Sequence, residues 1–211
     1  MVARLARFVP RHLQLFLVVA LLALAPFHRA EAQVWNEQGD AGDLPGTAQT
    51  TVGNGGLTTI NGQLANPSDV DMYCLNLDFA GASAICLQCV VIQGPDVWFF
   101  DAAGNGIAAT TTCQSGCKQM ILTVPTGTYY VAVSYDGMLP QSPNGPIWNF
   151  SNQPQRAPDG PGAPGPVVAW AGSPSVQPIN PYRLQLQNFS YCASPVPVQG
   201  SSWGRLKAIY R

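Results

Sequence analysis

Two octapeptides, Val70-Asp-Met-Tyr-Cys-Leu-Asn-Leu77 and Thr128-Tyr-Tyr-Val-Ala-Val-Ser-Tyr135, carry the period that decides the fold. Successive side chains of an extended chain point to opposite faces, so Tyr73, Leu75 and Leu77 share one face, as do Tyr129, Val131, Val133 and Tyr135. Residues 119–124 repeat the pattern with Met120, Leu122 and Val124. Intervening positions are more polar, which predicts strands with one dry and one wet face, as two packed sheets require.

Outward from these, residues 58–63, 83–92, 97–101, 107–112 and 182–187 read as further short strands at regular spacing, the pattern of an all-β sandwich or barrel. Turn residues agree: Asp101-Ala-Ala-Gly104-Asn105-Gly106 closes one hairpin, and Pro125-Thr-Gly127 leads into the next strand. Texture changes over residues 136–181, where Gln153-Pro-Gln-Arg-Ala-Pro-Asp-Gly-Pro-Gly-Ala-Pro-Gly-Pro166 marks a long Pro/Gly-rich loop, functional or disordered. Trp148, Phe150 and Trp170 fall in it. They either stack on a sugar or peptide ligand or pin the loop to the sandwich.

The N-terminus has the order of a secretory signal peptide. Arg4, Arg7 and Arg11 precede the apolar run 13–25, then come Pro26 and the small-residue site Ala30-Glu31-Ala32. The run falls short of the roughly 20 residues that span a bilayer. Cleavage after Ala32 removes four of the ten cations (Arg4, Arg7, Arg11, Arg29) and one of the eleven acids (Glu31), leaving six, ten and a net charge of −4. A mildly acidic chain without a basic cluster has no electrostatic footprint for nucleic acid, and no later apolar stretch predicts stable membrane insertion. The domain expected after the leader (1–32) is residues 33–192, followed by a linker and tail (193–211). In that tail Trp203, Leu206, Ile209 and Tyr210 share one face of a short helix.

Both histidines, His12 and His28, lie in the leader. The mature chain therefore lacks the usual general base and commonest metal ligand, which removes Ser-His-Asp, Cys-His and zincin-type chemistry. A glycosidase-like hydrolase built on aspartates is the remaining enzymatic alternative, because Glu37 is the one glutamate left. The six cysteines, Cys74, Cys86, Cys89, Cys113, Cys117 and Cys192, are even in number and follow an export signal, so structural disulfides are expected. Six cysteines allow 15 pairings; one arrangement pairs Cys86 and Cys89 with Cys113 and Cys117, and Cys74 with Cys192. The alternatives are a zinc ribbon on the two close pairs and redox work by Cys86/Cys89, which sit in a strand-like context rather than at a helix start. Asn149-Phe-Ser151 and Asn188-Phe-Ser190 match the N-glycosylation pattern.

Five segments in order resemble the bacterial pre-peptidase C-terminal domain: Gly39-Asp40-Ala-Gly-Asp43-Leu-Pro-Gly-Thr-Ala-Gln, Leu57-Thr-Thr-Ile60-Asn-Gly62-Gln-Leu64, Asp69-Val-Asp71-Met-Tyr73, Asp96-Val-Trp-Phe-Phe-Asp101-Ala-Ala-Gly104-Asn and Gly127-Thr-Tyr-Tyr-Val131. The resemblance implies a jelly-roll-like antiparallel β-sandwich, secreted and non-catalytic, that assists secretion, adhesion or substrate binding. The calcium-binding collagen-binding relatives of that family further imply a calcium site formed here by Glu37, Asp40, Asp43, Asp69 and Asp71. The plainer reading is that Asp40 and Asp43 cap turns while Asp69 and Asp71 begin a strand. The sequence thus predicts an extracellular binding or structural module, calcium its cofactor and an extracellular polysaccharide or protein its partner.

Overall fold

The computed structural model describes residues 33–89, 94–174 and 181–195. The expected leader, the end of the 83–92 strand and the tail helix lie outside these residues.

The described residues form an all-β sandwich. One layer contains β1 (Val34–Asn36), β3 (Gly56–Gln63), β13 (Pro181–Tyr191), β5 (Gly81–Gln88) and β8 (Cys117–Val124), hydrogen-bonded in that order. The other contains β4 (Val70–Leu77), β9 (Gly127–Ser134), β6 (Asp96–Asp101) and β7 (Gly106–Thr110), with the short β2 (Gln49–Thr50) beside β4. The long strand β13 joins the layers, because its Ser190 and Tyr191 leave β5 and pair with β4. Pairing is antiparallel throughout the body. The two short strands β1 and β2 pair parallel to β3 and β4.

Between the layers lies a core to which every long strand contributes: Leu57 and Ile60, Tyr73, Leu75 and Leu77, Ile85 and Leu87, Met120 and Leu122, Val131 and Val133, Leu184 and Leu186. The alternation expected for residues 119–124 and 182–187 is what buries them. On β13 it is interrupted, since Leu186 and Phe189 both face inward three residues apart. A register shift and the positive φ of Asn188 (63°) absorb the odd residue.

The expectation of a wet face on every strand fails for β4, β6 and β9, most of whose residues are buried on both sides. Their outer side carries a second core of Val70, Met72, Trp98, Phe100, Ala109 and Ala132, closed by Ile147, Trp148 and Val167. The covering residues come from the segment read as a Pro/Gly-rich loop. It contains a three-stranded antiparallel sheet, β11 (Gly145–Pro146), β10 (Met138–Ser142) and β12 (Ala169–Gly172), in that spatial order. Proline lacks a donor but keeps its acceptor, and here the carbonyls of Pro140 and Pro146 accept from Ile147 N–H (2.9 Å) and Gly162 N–H (2.9 Å). Glycines give the close approach the packing needs, for a Cβ on Gly106 would lie 2.5 Å from the Trp148 ring. The segment also seals the free edge of β7, where Ala109 and Arg156 exchange backbone hydrogen bonds of 3.0 Å.

Candidate metal centre

At one end of the sandwich the chain leaves β1 through residues 37–43, and glycines at positive φ, Gly39 (73°) and Gly42 (65°), turn it back. Asp40 Oδ1 accepts from Gly42 N–H at 3.1 Å, and the Gly42 carbonyl accepts from Met72 N–H at 2.9 Å, which lays this turn against the start of β4. Asp69 closes the turn before β4: its N–H donates to the Asn66 carbonyl (3.0 Å) and its Oδ2 accepts from Ala65 N–H. Asp71 lies inside β4, opposite Val133, and is wholly buried. The plainer reading holds for Asp40, which braces a turn, and for Asp71, which lies in β4, whereas Asp69 closes the turn before that strand; the two turns bring Asp40 and Asp69 close to Asp71.

One carboxylate oxygen from each of Asp40, Asp69 and Asp71 lies within 4.8 Å of the other two. Asp71 Oδ2 accepts from the Tyr182 hydroxyl at 2.6 Å, and Tyr182 shares a 2.7 Å hydrogen bond with Tyr73. The Tyr182 proton is committed to Asp71, so Tyr73 is the donor in that second bond. Asp71 Oδ1 is buried and has no partner. Glu37 adjoins the group, its Oε2 held by Gln63 N–H at 2.8 Å and its charge acting on Asp71. Asp43 is outside the triplet, and its backbone carbonyl accepts from Trp170 Nε1–H at 2.6 Å.

Packing so many acids together has a cost that shows in their protonation. Burial, with the negative charges of Glu37, Asp69 and Asp40 adding to it and the Tyr182 hydrogen bond opposing it, pushes the Asp71 carboxyl up to about 8. Burial also raises Glu37, and burial with the charges of Asp40 and Asp43 raises Asp69. Tyr73 and Tyr182 are held well above the usual phenol range, chiefly by burial, so both stay protonated. A hard divalent cation suits this donor set, since calcium takes six to eight oxygens from carboxylates and turn carbonyls and would bind the unpartnered Asp71 Oδ1.

The cysteines form three disulfides, Cys74–Cys192, Cys86–Cys117 and Cys89–Cys113, which leaves no thiolate for a zinc ribbon or redox site. Cys86–Cys117 and Cys89–Cys113 clasp β5 and the turn that opens β8, and Cys74–Cys192 ties β4 to the end of β13.

The aromatic residues separate. Trp148 is wholly buried, its ring 5.3 Å from Trp98 and 5.8 Å from Phe100, so it has no face for a ligand. Trp170 is half-buried against the same rings at 6.0 and 6.3 Å. These two pin the covering segment, while Phe150 is exposed. The side-chain nitrogens of Asn149 and Asn188 are engaged, donating to the Asp159 carbonyl (2.6 Å) and the Ala82 carbonyl (2.5 Å).

No protein-family profile matches the chain, and no curated protein sequence matches it. Among solved structures, the pre-peptidase C-terminal domain of a collagenase from Bacillus anthracis is similar, at 14% identity and a TM-score of 0.38, over 66% of this chain and 97% of that one.

Sequence reasoning brought the acids to notice but missed Tyr73 and Tyr182, whose hydroxyls meet across residues 109 apart. One signal was available. Gly62 lies directly opposite Tyr182 on β13, and a Cβ there would meet the Tyr73 and Tyr182 hydroxyls, so this glycine makes room for a polar pair inside an apolar face.

Proposed function

We propose that the chain is a secreted, non-catalytic β-sandwich module whose acidic end binds calcium and whose surface binds an extracellular polysaccharide or protein. The convergence of Asp40, Asp69 and Asp71, with a buried Asp71 oxygen left unpartnered, carries this reading. Asp40, Asp69 and Asp71 would hold the ion, with Glu37 beside them. The ion would supply positive charge that neutralises their mutual repulsion and locks the 37–43 turn to β4.

Catalysis by aspartates fits these positions poorly. A glycosidase needs two carboxyls about 5 to 10 Å apart across an open cleft, whereas the triplet lies within 4.8 Å and Asp71 is sealed. Three disulfides favour an oxidising compartment. For the partner, a groove on the outer face of the β13-containing layer offers Gln114, Gln119, Gln185 and Gln187 over a floor of Ala84 and Cys86. Uncharged amides above small residues suit the hydroxyls of an extended glycan chain.

Calcium titration of the purified mature protein by calorimetry tests the metal reading. Saturable one-site binding that disappears in Asp69→Asn and Asp71→Asn is expected, and no heat from the native protein contradicts it. A glycan array probed with native protein and with Gln119→Ala/Gln187→Ala tests the groove, where an unchanged binding profile for the variant rejects it.

A further inference from the structure

The sandwich holds a second buried polar group, at Lys118. Its β8 position alternates in phase with Met120 and Leu122, which places a lysine on an inward face otherwise built of apolar side chains. Lys118 is wholly buried. Its Nζ lies 2.7 Å from Asp96 Oδ1 and 2.7 Å from the Gly94 carbonyl oxygen, and the two charged side chains are 0% and 2% exposed. Asp96 opens β6 in the opposite layer. A further buried carboxyl, Asp136, has an Oδ1 without a partner and lies close enough to raise Asp96 further.

We propose that Lys118 and Asp96 condense into an intramolecular isopeptide bond, an amide between Nζ and Cγ that covalently ties the two layers of the sandwich. Several features favour the reaction. A sealed ion pair is costly in a low-dielectric interior, where the ammonium and carboxylate rely on each other and on the Gly94 carbonyl in place of water. Burial pushes the Asp96 carboxyl up to about 7 against the opposing pull of Lys118, so the neutral acid, the form whose hydroxyl can leave, is populated near neutral pH. The amine and acid are then held at contact distance and cannot diffuse apart, which replaces a bimolecular encounter by a unimolecular step.

The step balances without any other reactant. Once the ammonium has passed one proton to the carboxylate, the Nζ lone pair adds to Cγ and a Nζ–Cγ bond forms. The Cγ–OH bond then breaks, and the hydroxyl leaves as water with a proton released from nitrogen. Nothing is oxidised or reduced. The amide keeps one N–H, for which the Gly94 carbonyl is a ready acceptor, and the water leaves a dry site to which it has little reason to return.

Mass spectrometry of the exported, reduced and alkylated protein decides the matter. The expected intact mass is lower than the sequence mass by one water. Trypsin has no site between Gln33 and Lys118, so it should yield residues 33–156 uncut after Lys118 and one water lighter, and further cleavage after Phe99 or Phe100 by chymotrypsin should give one branched peptide joining the segments that contain Asp96 and Lys118. Mapping is essential because Gln33, if exposed at the new N-terminus, loses ammonia on cyclising, and Asp136-Gly137 and Asp159-Gly160 lose water as succinimides. A linear peptide ending at Lys118 in the folded protein overturns the proposal, as does a water loss that maps to either Asp-Gly pair. Lys118→Arg keeps the positive charge and should abolish the branched peptide; its persistence in that variant would also overturn the assignment.

Discussion

Asp71 sits where a negative charge is least welcome, and its protonation should govern how the metal-free protein responds to pH. An unfolded aspartate releases its proton near 4, whereas the folded carboxyl holds it up to about 8. Its stabilising contribution is therefore complete below the unfolded value and is lost as pH rises through the folded one. In the presence of chelator, the melting temperature should fall from about pH 5 to about pH 8, and Asp71→Asn should flatten that slope. Calcium bound at these acids would displace the same proton, so its stabilisation should grow over this window. Gly62→Ala should lower stability and blunt the calcium response together, by displacing the tyrosine pair that anchors Asp71. At this scale the acids were visible in the sequence, as motif positions and turn residues. Their shared protonation was not, because it depends on Tyr182 arriving from a strand more than 100 residues further along.

Strands were legible wherever one face was apolar and the other was not. β8 and β13 differ from their expected spans only at their ends, because alternation marks a half-buried strand, and β4, though buried on both faces, matches its span because Tyr73, Leu75 and Leu77 alternate with less apolar neighbours. β1 and β2 are too short to show a period, and β10 to β12 were hidden by prolines that serve as acceptors rather than donors. Trp148 illustrates the same limit, since its burial depends on Trp98 and Phe100 across the second core. Trp148→Ala should cost about 3–5 kcal/mol of unfolding free energy in denaturant titration. The disulfides should differ in a way set by the chain they enclose. Cys74–Cys192 closes 118 residues of sequence separation and Cys89–Cys113 closes 24. Replacing each pair by alanine should cost about 5 and about 3.5 kcal/mol respectively, on chain-entropy grounds.

A sandwich whose second sheet is covered on its outer side leaves the outer face of the β13-containing layer open, and that face carries Gln119, Gln185 and Gln187 with Arg183 beside them. The acidic end and this amide face share one compact unit crossed by three disulfides, so calcium, if bound, is expected to stabilise a surface rather than to complete a reaction centre. The fold class followed from strand pattern, and Asp40, Asp69 and Asp71 stood out by motif order. The covering layer did not, because it arises from tertiary packing of a segment whose composition has no period. The most direct test is the thermal melt of the mature protein near neutral pH, first in millimolar calcium and then in excess chelator. The account predicts a single transition that moves several degrees lower on chelation in the native protein and does not move in Asp69→Asn/Asp71→Asn; superimposable native melts in the two conditions would contradict it.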